Sequence, residues 1–198
     1  MMNVRTLRPL ALLLPALALA GCVSFGPKPP PELLRLSATQ PMPAGQSMPL
    51  TAGQSVTVLV PIAPAEIANT RVPVRSGSAQ LAYLKGAQWA DVPTRLFRDL
   101  LAETVRIRTG RPTLDARDYH LAPGMRLSGR LQAFGLNAGS MQVDVVYDAT
   151  LQRDGNRIET RRFEGHAPAT SMHEVAVAQA LNTAANDVAT QVADWIGK

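Results

Sequence analysis

Residues 141–151 carry the strictest alternation in the chain. Val143, Val145, Tyr147, Ala149 and Leu151 point one way, and Gln142, Asp144, Asp148 and Gln152 the other. A period of two is a strand, and one apolar row beside one polar row is a sheet with one packed and one wetted face. Asp154-Gly155 is a hairpin turn signal leading into a further strand over 157–163. Residues 125–134 also alternate, with Met125, Leu127, Gly129, Leu131 and Ala133 on one face and Arg126, Ser128, Arg130 and Gln132 opposite. Two helical patterns supply a layer for the dry side. In the first, Asp91 is placed to cap, Pro93 suits the first turn, and Leu96, Leu100, Phe97, Leu101 and Val105 recur at helical spacing before Gly110 and Pro112. In the second, Ser171 and Glu174 have capping-box spacing, and Val177, Leu181, Ala184 or Ala185, Val188, Val192 and Trp195 form an apolar stripe.

Upstream, residues 33–36 read as a short first strand, and 39–54 as a loop rich in Pro, Gly, Ser and Gln. The β-branched run 55–62 is a strand stopped by Pro61 and Pro64. Residues 71–75 and 79–84 flank Ser76-Gly77-Ser78 as a hairpin. The helix over 92–106 separates strands expected to lie parallel in one sheet, with a right-handed crossover as the default. The expected fold is therefore α+β: a two-layer domain with a mixed β-sheet of about six or seven strands and two helices packed on one face.

The N-terminus sets where such a domain lives. Arg5 and Arg8 precede a short apolar run, Leu10 to Leu19, which ends in Leu19-Ala20-Gly21-Cys22. This is the layout of a secretory signal, too short to span a bilayer. Leu-Ala-Gly-Cys resembles a bacterial lipobox, in which the signal is cut before the cysteine and that cysteine is acylated. Cys22 is the chain's single cysteine, so lipidation leaves no thiol for a disulfide, a metal site or catalysis. The expected organisation is a signal peptide over 1–21, an acylated cysteine and Pro-rich tether over 22–31, and one domain over 32–198. The tether reads Val-Ser-Phe-Gly-Pro-Lys-Pro-Pro-Pro after Cys22; fully extended, it holds the domain roughly 30 Å from the bilayer. Val23 follows the cysteine in place of the Asp that retains many lipoproteins in the inner membrane. The expected location is thus the outer membrane, lipid-anchored and facing the periplasm.

The mature chain keeps about 170 residues, enough for one sizeable core. The formal charge of +5 falls to about +3 once the signal leaves. Export, and the want of an arginine-rich helix or stacking-aromatic motif, argue against nucleic acid as a partner. His120, His166 and His173 sit at no metal-ligand spacing. Asp118 and His120 lack a nucleophile elbow, and no Gly-rich loop opens a helix to cradle a phosphate. Neither an enzyme nor a cofactor is expected.

The order of elements is informative as a whole. Behind the lipobox and tether come a short strand ending Leu36-Ser37-Ala38, the Val56 to Pro61 strand and an Arg-bearing strand at Arg75. Tyr83 then precedes Trp89-Ala90-Asp91-Val92-Pro93 at a helix start, and two long alternating strands and an alanine-rich C-terminal helix follow. From Leu33 to Lys198 the chain resembles the ABC-type transport auxiliary lipoprotein family, which includes the paraquat-inducible outer-membrane lipoprotein of MCE (mammalian cell entry) systems. The resemblance implies a periplasm-facing lipoprotein that docks an MCE-domain partner to outer-membrane lipids through acylated Cys22, for lipid transport between membranes. A homo-oligomer is compatible with it. Arg75, Tyr83 and Trp89 are its candidate partner-binding residues, although a Trp at a helix start also serves to pack that helix on the sheet, and Arg75 has Asp91 and Glu103 as candidate ion-pair partners. The alternative function is an activator or scaffold of another envelope machine, such as a cell-wall synthase.

Overall fold

In the computed structural model, which describes residues 32–121, 124–153 and 157–197, the chain forms β1 (Val56–Val58), β2 (Arg71–Ser76), β3 (Gln80–Gln88), α1 (Pro93–Thr109), β4 (Thr113–Leu114), β5 (Met125–Asn137), β6 (Gln142–Arg153), β7 (Arg157–Pro168) and α2 (Glu174–Ile196). The strands make one mixed sheet with β5 as its hub. Antiparallel β6 runs along one edge of β5, and antiparallel β7 runs along β6. Two strands share the other edge of β5, both parallel to it: β1 at its start (Val56 opposite Met125) and β2 at its end (Val74 opposite Leu136). β3 returns antiparallel on β2, and β4 lies parallel to β1. β1 and β2, earlier in the chain, lie parallel to β5, but β3, the strand directly before α1, runs antiparallel to β5, because the β2–β3 hairpin has already reversed the chain. The fold is the expected two-layer α+β domain. The Asp154-Gly155 turn lies outside the described residues, but the strands it joins pair from Arg153 opposite Arg157 onward.

The packed face differs from the simple alternation at one point. The β5–β6 register shifts between Leu131 and Ala133, so Leu131 lies opposite Tyr147 and Phe134 opposite Val145. One extra residue in a strand flips every side chain beyond it. Ala133, expected with Leu131, therefore turns to the other face, and Phe134 and Leu136 take up the core positions. The short strand expected over 33–36 is reduced to a single bridge, Leu34 with Trp89.

Both helix starts also differ from expectation. Val92, not Asp91, is the N-cap of α1, with Pro93 behind it; the Asp91 carboxylate accepts the Val92 N–H at 2.7 Å and pairs with Arg95 at 3.2 Å. His173 is the N-cap of α2, and Ser171 Oγ accepts the His173 N–H at 3.3 Å, so no capping box forms. Gly110 ends α1 as expected, in the left-handed conformation (φ 67°) that favours glycine.

Trp89, Phe97, Phe134 and Tyr147 form the aromatic centre of the core. Ring centroids are 5.5 Å apart for Trp89–Phe134, 6.5 Å for Phe97–Phe134 and 5.3 Å for Phe97–Tyr147. Tyr147 spends its hydroxyl on the Ser128 carbonyl (2.9 Å), and burial pushes its phenol far above the usual range. At the other end, α2 lies almost on the backbone of β7: a Cβ on Gly165 would run into the Ala184 carbonyl and Val188. Ala184, Ala185 and Ala189 permit this approach, and all are fully buried. At the edge of the sheet, Gln191 of α2 donates to the Glu164 carbonyl of β7 (2.9 Å).

Candidate interaction face

The wetted face of the sheet carries a ladder of charge across β5, β6 and β7. Register places Arg130 beside Asp148 and Asp148 beside Arg162, with Asp144 beside His166 two same-face positions along, past Val146. Arg162 grips Asp148 with two bonds of 2.6 and 2.8 Å, and Gln132, the residue displaced by the bulge, donates to it at 2.7 Å. His166 Nδ1 lies 2.8 Å from Asp144. The Arg162 hydrogen bond, chiefly, lowers the Asp148 carboxyl to about 2; burial opposes it, and the Gln132 bond and the Arg162 and Arg130 charges add to it.

A carboxyl depressed in the folded state contributes stability above its unfolded value and loses it as pH falls. The window here runs from the ordinary Asp value, about 3.9, down to about 2. Arg162→Met is therefore expected to raise the Asp148 titration toward the ordinary value, read by carboxylate NMR, with acid unfolding starting at higher pH. An unmoved Asp148 titration would show that Arg162 is not its main partner.

The structure separates the three residues expected to meet a partner. Trp89 has 1% of its surface exposed and lies in the aromatic centre, so its side chain packs the start of α1 on the sheet and offers no surface. Tyr83 is half-buried, with its hydroxyl accepting from Asn69 (3.3 Å) and the Arg71 guanidinium 3.6 Å above its ring. Arg75 lies on the same strand pair, opposite Leu81 on β3 and Asn137 on β5. It pairs with neither expected carboxylate, because Asp91 is bound by Arg95 and Glu103 lies 3.8 Å from Arg106. The β2–β3 hairpin thus brings Arg71, Arg75 and Tyr83 to one surface, and Trp89 lies beneath. Cys22 is outside the described residues.

A second arrangement was not foreseen. The segment that leaves the tether crosses the helical layer in extended form and is clamped there by two asparagines one turn apart on α2. Ser37 N–H donates to Asn182 Oδ1 and Thr39 N–H to Asn186 Oδ1, both at 2.9 Å, and Asn186 Nδ2 returns a bond to the Ser37 carbonyl, also at 2.9 Å. Side-chain amides here imitate a strand's ladder. Two Asn at i and i+4 in an otherwise apolar, alanine-rich helix were the available signal.

Among the described residues no cluster of His, Cys, Asp and Glu is arranged to hold a metal, and no helix is long and apolar enough to cross a membrane. Fold and surfaces together define an α+β domain that presents a charged sheet face and is strapped to its own leader segment. The chain belongs to the ABC-type transport auxiliary lipoprotein family, whose sequence model matches residues 35–193. Members are lipoproteins, associated with the cell envelope, that serve ABC-type transport as auxiliary components. Among solved structures, protein XCC0632 from Xanthomonas campestris, of the DUF330 family, is 23% identical with TM-score 0.66, covering 83% of this chain and 93% of its own. A crystal structure of an uncharacterized protein, 14% identical with TM-score 0.64, covers 83% and 99%. Both show the fold alone. The PelC dodecamer from Paraburkholderia phytofirmans is more distant, at 15% identity and TM-score 0.41 over 74% of this chain and 92% of its own. No curated protein matches the sequence.

Proposed function

We propose that this chain is the periplasm-facing lipoprotein subunit of an MCE-type ABC transport system, anchored in the outer membrane through acylated Cys22. The observation that carries the proposal is a coincidence of two independent features. The family match spans 35–193, and the chain's only cysteine stands behind a signal sequence at the lipobox position. Transport between membranes needs a fixed point at the receiving bilayer, and a multiply acylated cysteine holds a bilayer where a single fatty chain does so only marginally. The ATPase and permease are other polypeptides, since the sequence has no phosphate-cradling loop. The role is docking, not catalysis.

The β2–β3 hairpin is the proposed partner surface, with Arg75 and Tyr83 as its contacts. Trp89 acts from inside by fixing the helix that follows. A homo-oligomer would repeat this hairpin around the partner and multiply a weak contact.

Affinity purification of the full-length lipoprotein from its own envelope, in mild detergent, should recover an MCE-domain protein. Arg75→Glu should weaken that recovery at least tenfold while leaving the yield of folded protein unchanged. Recovery of a cell-wall synthase in its place would overturn the transport reading in favour of envelope-machine activation.

A further inference from the structure

The wetted face has one end that its charge ladder does not explain. Beyond β1, the segment Leu59 to Ile62 still follows β5: Leu59 N–H donates to the Leu127 carbonyl (2.9 Å), Ile62 N–H to Gly129 (3.0 Å), and Leu131 N–H to Ile62 (2.9 Å). Pro61 lacks an N–H and interrupts the ladder. Val60 and Ile62 stay beside β5, Ile62 bridged to Arg130, with their side chains 50% and 60% exposed. They border a groove of about 530 Å³ lined also by Ser128, Arg130, Gln132, Thr150 and Asp148. Arg126 and Arg130 are exposed on the same face of β5, and among the described residues neither is within ion-pair distance of a carboxylate. Asp148, the acid nearest Arg130 in the register, is already held by Arg162 and Gln132. Arg126 stacks only on Tyr119 (5.8 Å to the ring centroid). Ile158 of β7, 64% exposed, lies in the row of Gln152 and Arg126. Three aliphatic side chains thus share one end of the sheet with Arg126 and with Arg130, whose charge faces Asp148 without a direct ion pair.

We infer that this end of the sheet is a second membrane contact, resting on the anionic surface of the bilayer that holds the anchor. Guanidinium groups meet lipid phosphates while Val60, Ile62 and Ile158 enter the interfacial layer. Such a contact is weak alone. It becomes effective because the tether, about ten residues long, keeps the domain within roughly 30 Å of the headgroups. In that respect the inference rests on lipid at Cys22. Anionic lipid is favoured over an acidic protein segment because the family is one of lipoproteins and the exposed apolar residues are scattered singly among cations.

The single-cysteine sequence makes the test direct. Acylation occupies Cys22, so Ile62→Cys and, on the helical layer, Thr183→Cys each give the full-length lipoprotein one reactive thiol for an environment-sensitive fluorophore. The proteins are incubated with phosphatidylethanolamine vesicles containing brominated lipid, with or without one-fifth phosphatidylglycerol. The expected result is quenching at position 62 at least threefold stronger than at 183, increasing with phosphatidylglycerol, and losing that dependence in Arg126→Gln/Arg130→Gln. Equal quenching at the two positions, or none at 62, overturns the inference. Flotation with vesicles lacking phosphatidylglycerol reports the anchor separately. Protein that floats but shows no phosphatidylglycerol-dependent quenching at 62 overturns this inference alone, whereas protein that fails to float overturns the anchor on which it rests.

Discussion

Cys22→Ser is expected to abolish palmitate incorporation and leave the chain as uncleaved precursor or as material lost from the outer membrane, with folded domain still present. Membrane affinity resides in the acyl chains, and serine offers no thiol for lipid transfer. The core of the described domain, by contrast, is drawn from Leu34 through Ile196. Labelled-palmitate uptake and sucrose-gradient fractionation of wild type and variant measure the first effect; protease resistance of the domain measures the second. Wild-type protein that takes up no palmitate, or that bands with the inner membrane, would overturn outer-membrane docking.

Trp89→Ala is expected to cost about 3–5 kcal/mol, the range for removing a large aromatic from a packed core. At this chain length that lowers Tm by about 6–20 °C. The site cannot easily collapse, because Phe134 presses on Trp89 from β5 while the bridge to Leu34 holds the backbone at the same residue. The indole N–H has no hydrogen-bond partner among the described residues, so a buried donor is left unmet at this position. Trp89→Phe removes that donor and keeps most of the ring, and should cost no more than about 1–2 kcal/mol. Urea unfolding followed by circular dichroism distinguishes the two variants. Equal losses would mean that the indole nitrogen, and not the ring's bulk, is what the core needs.

The elements that a one-dimensional pattern can encode were legible. The alternation of β6, the Asp154-Gly155 signal between β6 and β7, the Phe97, Leu101 and Val105 spacing of α1, and Gly110 at its end all report on neighbours within a few residues. What escaped was set by distant partners. The bulge at Gln132 hides in a run that still alternates polar and apolar, since Ala133 is mildly hydrophobic on either face; only the register against β6 reveals it. β7 continues to Pro168, past the point where hydrophobicity fades, because Gly165 and Ala167 are small to admit α2 and not because they are exposed. Asp91 and Ser171 have the chemistry of caps but sit one and two residues ahead of the N-caps, Val92 and His173. Of the candidate partner surface, Arg75 and Tyr83 were found by position, whereas the exposed Val60 and Ile62 read in sequence as ordinary strand residues. Their exposure comes with their place beside β5 at an uncovered end of the sheet, which no local pattern shows.

The attachment of residues 34–39 decides how long the leash of the proposed anchor is. Were that segment free, the first fixed point behind Cys22 would be β1 at Val56, and about 34 extended residues would span roughly 105 Å. The point is brought forward to Leu34 by the backbone, where Leu34 N–H bonds the Gln88 carbonyl and Ala90 N–H bonds the Leu34 carbonyl, and the bonds of Asn182 and Asn186 to Ser37 and Thr39 reinforce it at once. About twelve residues then separate Cys22 from the fixed point, a reach of roughly 37 Å if extended. The volume a tethered body can search scales as the cube of that reach, so bridge and clamp together would shrink it roughly twentyfold and raise the local concentration of the domain at its bilayer in proportion. One backbone bridge and two asparagines thereby set how closely an acylated Cys22 would moor the domain.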